Sequence, residues 1–479
     1  MFRIRILPLI LAAALTGCAV GPDYQRPDSA ASASGVADAF SEVPDGWTVA
    51  SPADHAPRGD WWTIYGDPVL NDLAAQVDVS NQNVAAAVAR YRQARASAQE
   101  ARSAFFPTLG LSYGASRNGS YDKSTQAVQI QNSQNLSLDA SWEPDIWGGI
   151  RRQVESSDAG AEGSAADLAA ARLSAQAELV QDYLQLRITD AQIRLSEETV
   201  VAYARSLQLT QNKYAAGIVT KADVAQAQSQ YKSAQAQAID LALTRKQLAH
   251  AIAILVGKAP SQFALAADPG WKPALPVIPA GVPSQLLERR PDVASAERAV
   301  ASANAQVGVA KAAFFPSLVL KASGGFQSAS LSDWFNAPGR VWALGATVAE
   351  TIFDAGARSA RSDQAVAAYD ASVASYRQTV LGSLQEVEDN LAAIDLLGKE
   401  VDAQNDAVAA AREAERLALN QYTAGTVDYL NVASSQTTRY ASEKTALQLV
   451  GRQLSASVLL IKAIGGGWDG NVTPQLAQP

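Results

Sequence analysis

Few residues in this sequence have the type and spacing that catalysis or metal binding requires. Cys18 is the single cysteine, and the two histidines, His55 and His250, are far apart in the chain. A disulfide, a zinc finger or an iron–sulfur cluster needs at least two thiols. No Ser-His-acid constellation is visible, and the acidic pair Glu197-Glu198 lies in a Gln- and Ala-rich stretch typical of a solvated helix face. The sequence therefore predicts a protein that is not an enzyme and holds no metal or cofactor.

Cys18 does have the surroundings of a lipid-attachment site. Two arginines and an apolar run over 6–15 are typical of a secretory signal peptide, and the run is too short to span a bilayer. It ends in Leu15-Thr16-Gly17-Cys18, which resembles the bacterial lipobox; an ordinary signal peptide with a chance cysteine is the alternative. We expect a mature chain with N-palmitoyl and S-diacylglycerol groups on Cys18. Because Ala19 follows the cysteine, the motif favours anchoring in outer-membrane lipid.

The composition favours long helices and argues against nucleic-acid binding. The formal net charge is −8, whereas a nucleic-acid-binding protein normally shows a basic patch. Only 7% of the residues are aromatic, and the chain is rich in Ala and Gln. The sequence therefore predicts extended helical structure and no nucleic-acid partner.

The sequence contains an internal duplication at an offset of 207 to 209 residues. Ala104-Phe105-Phe106-Pro107-Thr108-Leu109 recurs as Ala313-Phe314-Phe315-Pro316-Ser317-Leu318. Tyr214-Ala215-Ala216-Gly217 recurs as Tyr422-Thr423-Ala424-Gly425. Since several markers recur in the same order at nearly the same offset, we interpret the chain as two copies of one structural unit.

Each half begins with a helix that ends at a Phe-Phe-Pro corner. The helices are predicted near 69–104 and 284–313, and proline disfavours helical geometry at the residue before it. The helix-to-strand corners are Phe105, Phe106, Pro107, Phe314, Phe315 and Pro316.

Two amphipathic strands follow each corner. Apolar residues alternate with small or polar ones, as in a strand with one apolar face. The alternating residues are Leu109, Leu111, Tyr113, Leu136, Leu138 and Ala140 in the first half, and Leu318, Leu320, Val341, Leu344, Ala346 and Val348 in the second. The polar segments 118–133 and 327–340 are expected to be loops between the strands.

A long helix and a return helix complete each half. About 65 residues without proline follow Gly149 and Gly356, which corresponds to a helix of about 100 Å. Gly217 and Gly425 are expected to turn the chain, because glycine readily adopts positive φ at a helix end. Return helices are predicted to run to about Val256 and Ile464.

The apolar stripes of these helices are also compatible with a coiled-coil scaffold. That alternative, a non-channel periplasmic scaffold or adaptor lipoprotein, leaves the paired strands unexplained. A chain with no apolar run of 18 residues after its signal can cross a bilayer only as a closed β-barrel. Four strands cannot close a barrel, so several copies would have to contribute.

These motifs together resemble the outer-membrane efflux factors of the TolC-like superfamily, in the lipoprotein branch of the NodT and OprM type. The resemblance covers nearly the whole mature chain. It rests on Trp61-Trp62, both Phe-Phe-Pro corners, Ser141 to Gly148, Leu286 to Asp292 and both Tyr-x-Ala-Gly turns.

The resemblance implies a passive outer-membrane exit duct of a tripartite efflux or secretion system, built from a homotrimer. Three chains would form a 12-stranded outer-membrane β-barrel, continued by a periplasmic α-helical barrel. The duct would be opened by a periplasmic membrane-fusion adaptor and driven by an inner-membrane pump of the RND type.

The resemblance also places functional residues at the two Gly turns, the periplasmic tip and gate. These are Tyr214, Gly217, Asp223, Tyr422, Gly425, Asp428 and Asn431. Asp223 has two interpretations, a charged ring that gates ions or a helix cap. Related channels carry an Arg where this chain has Val427, and acidic residues where it has Asn431 and Ser434, so the salt-bridged lock of the best-known type is not expected here.

The predicted domain organisation follows from the duplication. It comprises a signal peptide at 1–17, a lipid-anchored linker at 18–66, a first repeat at 67–268, a Pro-rich connector at 269–283, a second repeat at 284–466 and a tail at 467–479.

Overall fold

The computed structural model describes residues 20–27, 59–273, 275–276, 290–330 and 339–466. The predicted signal peptide, Cys18, much of the linker and connector, and the tail lie outside the described residues. The regular elements are α1 (Pro68–Ser80), α2 (Gln82–Ser103), β1 (Thr108–Asp122), β2 (Ala127–Trp142), α3 (Gly149–Ala215), α4 (Lys221–Leu255), α5 (Pro291–Ala312), β3 (Ser317–Ser328), β4 (Arg340–Ala349), α6 (Ala357–Ala424) and α7 (Tyr429–Ala463), with short 3₁₀ turns at Trp61–Tyr65 and Pro260–Gln262.

The long helices confirm the duplicated arrangement. α3 has 67 residues and α6 has 68, and the return helices α4 and α7 have 35 each. In the described part of the chain, no helix is sufficiently long and apolar to span a bilayer.

The first helix of the first half differs from the sequence prediction, because it is broken at Asn81. The Asn81 side chain accepts hydrogen bonds from the backbone N–H groups of Asn83 (2.9 Å) and Val84 (3.1 Å). Its amide also donates to the Leu255 carbonyl at 2.9 Å. Asn81 therefore ends α1, caps α2 and fastens the break to the end of α4.

The four strands form one antiparallel sheet in the order β1-β2-β3-β4. Leu109 lies opposite Ala140 in β1·β2, Ala140 opposite Ala322 in β2·β3, and Leu318 opposite Val348 in β3·β4. Within the described residues, β1 and β4 are the edges of the sheet.

The sheet has one apolar face and one polar face. The apolar face carries Leu109, Leu111, Leu138, Leu320, Trp342, Leu344 and Val348, since these residues share one parity of the register. On the polar face, the Ser112 and Ser137 hydroxyls both donate to Asp139 Oδ2 at 2.9 Å. Val341, grouped with the apolar stripe in the sequence, lies on the polar face opposite Gly325.

The strands of the first half are longer than predicted. Most of the expected loop 118–133 is strand, and the turn covers only 123–126. Residues 118–133 alternate too weakly to be recognised, because polar side chains occupy one face and mixed ones the other. Their strand structure is set by pairing across the hairpin.

The chain divides into two compact units, each drawing on both halves of the sequence. The first unit comprises residues up to 27, 91–164 and 296–376 and contains the sheet. Its helical core includes Val154, Val300, Ala305 and Val307.

The second unit comprises residues 28–90, 165–295 and 377 onward. Its core includes Leu179, Tyr183, Leu391, Leu454 and Val458. Such burial contributes about 1.5–3 kcal/mol per large side chain, so the unit is stabilised mainly by interdigitating helices.

Candidate functional site

The Phe-Phe-Pro corners are held by tryptophans at the end of β2 and the start of α3. The Trp147 ring stacks on Phe315 with centroids 4.8 Å apart, and its indole N–H donates to the Pro316 carbonyl at 2.7 Å. The Trp142 indole N–H donates to the Phe105 carbonyl at 3.0 Å. Each predicted corner therefore fixes the passage from helix to strand. In both, the Trp indole satisfies a carbonyl of the segment between the helix and the strand.

The start of the described chain is fastened to the first unit. The Val20 N–H donates to the Trp147 carbonyl at 2.9 Å, and the Tyr24 hydroxyl donates to Glu297 at 2.8 Å. The buried Arg152 guanidinium donates to Asp23 at 2.7 Å. Residues 20–27, which begin two positions after the predicted lipid-attachment residue, are therefore bound to the first unit beside Trp147.

The first Gly turn connects α3 to α4. Gly217 has φ +73°, which favours glycine. Asp223 and Thr220 form a capping box: the Thr220 N–H donates to Asp223 Oδ2 at 2.8 Å, and the Asp223 N–H donates to Thr220 Oγ1 at 3.3 Å. These are the contacts expected if Asp223 acts as part of the helix cap of α4, the second of its two interpretations. Tyr214 is half exposed beside the turn.

The second Gly turn connects α6 to α7. Gly425 has φ +80°. The Asp428 carboxylate accepts from the Asn431 N–H at 3.2 Å and from the Asn431 side-chain amide at 2.8 Å. Asp428 is therefore the N-cap of α7, and Asn431 is its partner.

Beside the two turns, side chains from both halves of the sequence meet in a cluster that we call the turn cluster, comprising Thr210, Lys213, Gln230, Tyr422 and Tyr429. Tyr422 is 1% exposed and lies at its centre. Its ring packs edge-on against Tyr429 at 5.7 Å. Its hydroxyl is 3.1 Å from Thr210 Oγ1, which itself donates to the Ser206 carbonyl, so Tyr422 is the donor.

Lys213 adds a cation to the turn cluster. Its ammonium group donates to the Tyr422 carbonyl and lies 4.2 Å from the centroid of the Tyr422 ring. The lysine therefore compensates a carbonyl at the end of α6 and makes a cation–π contact with the same residue. α3 of the first half is thereby connected to α6 of the second.

Gln230 connects the two return helices within the turn cluster. The Tyr429 hydroxyl donates to Gln230 Oε1 at 2.9 Å, and the Gln230 amide donates to the Ala433 carbonyl at 2.9 Å. Burial raises the pKa of the Tyr422 phenol, and the negative charge of Asp223 adds to this rise. The phenol therefore remains a neutral donor at physiological pH.

The structure thus separates the predicted tip residues into groups. Tyr422 enters the turn cluster. Asp428 is the N-cap of α7, Asp223 and Asn431 are the partners of the N-cap residues of α4 and α7, and Tyr214 lies at the surface. Sequence reasoning missed the other members of the turn cluster. Tyr429 had a usable signal, since Tyr429, Val432 and Gln436 are spaced by three and four residues, as on one buried stripe of α7.

Comparison with known proteins extends over both halves of the chain. The sequence matches the Outer membrane efflux protein family over residues 73–258 and 282–466. It is 33% identical over 436 residues to the pyoverdine export outer membrane protein OpmQ of Pseudomonas aeruginosa, covering 89% of this chain and 92% of OpmQ. It is 31% identical over 477 residues to the toluene efflux pump outer membrane protein TtgF of Pseudomonas putida, covering 99% and 98% of the two chains.

A solved structure shows the same fold. The outer-membrane channel OprN matches with a TM-score of 0.84 at 30% identity, over 94% of this chain and 100% of the OprN chain. The long helices and the four-stranded sheet therefore have counterparts in a known channel.

Proposed function

The chain belongs to the outer membrane efflux protein family and is the outer-membrane channel component of a tripartite efflux pump, and from this premise we propose that three copies form one duct. The family resemblance, the fold class and the outer-membrane location extending into the periplasm, all predicted from the sequence, are confirmed. As a channel component of this family, the chain is not an enzyme. The scaffold alternative required loops between 107 and 147, where the structure has β1 and β2.

The trimer proposal rests on one observation, the open four-stranded sheet. Its apolar face exposes large side chains, with Leu111 and Leu344 both 75% exposed. A sheet in lipid has to be closed, because unpaired backbone groups at an edge are costly there. Four strands are too few for closure, whereas three copies supply about twelve strands, within the range of known outer-membrane barrels. Among barrels built from two, three or four copies of the chain, the family resemblance favours the one with three.

Conductance in planar bilayers, measured together with the subunit count, tests this proposal. Full-length protein extracted in detergent is expected to have the mass of three chains by light scattering and to insert discrete channels. Addition of the periplasmic adaptor would open a trimer whose tip is closed. A monomer without conductance, or a trimer that stays silent with its adaptor, would contradict the duct.

For the tip, we propose that the turn cluster holds the duct closed. Lys213 and Thr210 of α3 contact Tyr422 of α6, so separating the two helices breaks a hydrogen bond, a cation–π contact and the carbonyl contact together. These contacts support a latch in which Lys213 supplies the positive charge. Gating roles of Tyr214, Asp223, Asp428 and Asn431 remain predictions.

We also propose that Cys18 carries the lipid anchor. Cys18 lies two residues before Val20, whose N–H is bonded to the Trp147 carbonyl. Trp147 lies between the end of β2 and the start of α3. Val20 therefore lies close to the helix-proximal end of the sheet, the level at which a membrane-spanning sheet meets the lipid headgroups, as a lipid anchor just before it in the sequence requires.

Metabolic labelling with a palmitate analogue tests the anchor. Wild type is expected to be labelled, and Cys18→Ser is expected to lose the label and accumulate as a more slowly processed form. Val20→Ser is a matched control, because it leaves the cysteine in place. Labelling of Cys18→Ser at the wild-type level would contradict the assignment.

The partners follow from the same function. We propose a periplasmic membrane-fusion adaptor and an inner-membrane pump of the RND type as the other components. The names of similar proteins include pyoverdine export and toluene efflux, so one duct architecture serves unlike cargoes. We infer that the pump selects the cargo and that the duct does not.

A further inference from the structure

The structure contains an internal template for the contact between neighbouring copies. β2 is the last strand of the first half and pairs with β3, the first strand of the second half. If copies close into one barrel, β4 of one chain meets β1 of the next in the same relation. This inference rests on the proposed function and adds the register of the subunit contact.

The two hairpins establish which residues are equivalent. Leu109 and Leu318 occupy the same place after their Phe-Phe-Pro corners. Leu109 lies opposite Ala140, and Leu318 lies opposite Val348. Val348 in β4 is therefore the counterpart of Ala140 in β2.

The β2·β3 register can then be transferred to the subunit contact. Ala140 lies opposite Ala322, which is four residues beyond Leu318. The residue four beyond Leu109 is Tyr113, so Val348 would lie opposite Tyr113 of the next copy. We propose that β4 and β1 of neighbouring copies pair antiparallel in this register, with Ala346 opposite Ala115.

The transferred register sets small residues opposite each other at the same level as in the template. Ser137 lies opposite Gly325 in β2·β3, and Gly345 would lie opposite Ser116 of the next copy.

The bulky residues of the apolar face fit as well. Trp342, which is 78% exposed, falls opposite Gly119. Three residues beyond the end of β4, Ile352 (94% exposed) reaches Leu109 (70% exposed), so both apolar side chains gain a partner. A register shifted by two residues would set Trp342 against Arg117 or Tyr121. A shift of one residue would set the apolar face of one copy against the polar face of the next.

Pairs of introduced cysteines measure the register directly. Residues directly opposite in antiparallel strands have Cα atoms about 4.5–5.5 Å apart, within disulfide range, whereas a shift of two residues adds about 7 Å along the strand. Full-length Ala115→Cys/Ala346→Cys, oxidised in outer membranes, is expected to give covalent dimers and trimers on a non-reducing gel. Their yield should be about tenfold above that of Tyr113→Cys/Ala346→Cys or Arg117→Cys/Ala346→Cys.

Ala140→Cys/Ala322→Cys is the matched positive control, because these residues are opposite within one chain. It should form an intramolecular disulfide and no covalent dimer. Each single-cysteine variant shows whether Cys18 contributes to linkage.

The outcomes separate this inference from the proposed function. If the Tyr113→Cys/Ala346→Cys or the Arg117→Cys/Ala346→Cys variant links preferentially, the register is overturned and the trimer stays intact. If the Ala140/Ala322 control links but no intersubunit pair does, in a preparation with the mass of three chains and measurable conductance, the β4–β1 contact itself is overturned. A monomer without conductance would overturn the proposed function, and the register with it.

Discussion

At the scale of single residues, Tyr422 shows how one side chain connects four helices. Its phenol donates to Thr210 on α3, and its ring packs against Tyr429 on α7. Tyr429 in turn donates to Gln230 on α4. Lys213 completes the arrangement by contacting both the carbonyl and the ring of Tyr422. The cation of the turn cluster therefore comes from α3.

We expect Lys213→Met to favour the open duct. The variant keeps the aliphatic stem but loses the hydrogen bond to Tyr422 and the cation–π contact, together about 1–2 kcal/mol, which is a shift of about tenfold in the open-to-closed ratio. Single-channel recordings measure the open probability. Lys221→Met, at an exposed position at the start of α4, is the matched control. Equal open probabilities for the two variants would remove Lys213 from the latch.

The pKa of Asp182, on α3, predicts that the stability of the protein depends on pH. Burial, with the charge of Glu178 adding to it, raises the pKa of Asp182 to about 6. The folded state therefore binds this proton more tightly than the unfolded state, so the contribution of Asp182 to stability is present below about pH 4 and is lost as the pH rises through about 6.

We therefore expect Asp182→Asn to stabilise the protein at pH 8 by about 1 kcal/mol, a figure reduced for solvent screening because the carboxyl is half-buried. At pH 4 the variant and the wild type should unfold at similar temperatures. Thermal unfolding at both pH values measures the difference. Glu178→Gln should give a smaller shift in the same direction, since it removes only the neighbouring charge. A variant less stable than wild type at pH 8 would contradict the assignment.

At the scale of elements, the N-terminal segment 20–27 is positioned by close backbone packing. Gly21 has φ +106°, and a Cβ atom there would lie 2.5 Å from the Gly308 Cα atom on α5. Two glycines therefore let the segment lie directly on the helix, where Asn304 donates to the Pro22 carbonyl at 3.1 Å. The hydrogen bond from Val20 to the Trp147 carbonyl depends on this close approach.

Gly21→Ala is expected to release the segment from α5. The added methyl group meets backbone atoms that cannot move aside, and an L-residue is strained at this φ, so the cost should exceed about 2 kcal/mol. Hydrogen exchange of the Val20 amide should rise by more than about tenfold. Gly66→Ala is the matched control, because Gly66 also has positive φ (+65°) but open space around its Cβ position. If the Val20 amide of Gly21→Ala stays as protected from hydrogen exchange as in the wild type, the packing of segment 20–27 on α5 does not depend on Gly21.

At the scale of the whole molecule, the two faces of the sheet account for a channel in a membrane. The apolar face suits lipid, and the polar face, with Ser112, Ser137 and Asp139 hydrogen-bonded together, suits water. Neighbouring residues on one strand therefore face different solvents.

Leu344→Arg and Ala343→Arg separate these two environments. Leu344 lies on the apolar face, where an arginine would cost about 2–4 kcal/mol at mid-membrane, whereas Ala343 lies on the polar face. We expect Leu344→Arg to reduce the amount of assembled protein in the outer membrane severalfold, while Ala343→Arg assembles normally and changes ion selectivity. Quantitative blotting of membrane fractions and bilayer recordings measure the two effects. Equal assembly of both variants would contradict the assignment of the faces.

The sequence was sufficient for the duplication, the long helices, the corners and the Gly turns. Local sequence patterns predict these features, because proline stops a helix, glycine permits positive φ, and a 3.6-residue period marks a helix face. The family resemblance rested on the same motifs, and it is confirmed.

Tertiary structure decided what depends on partners distant in the chain. The segment 118–133 became strand because it pairs across a hairpin, and Asn81 broke a predicted helix because its amide reaches Leu255. Lys213 and Gln230 joined the turn cluster through contacts with residues about 200 positions away. Local patterns report the preferences of a segment, whereas such pairs are specified only once packing has brought the segments together.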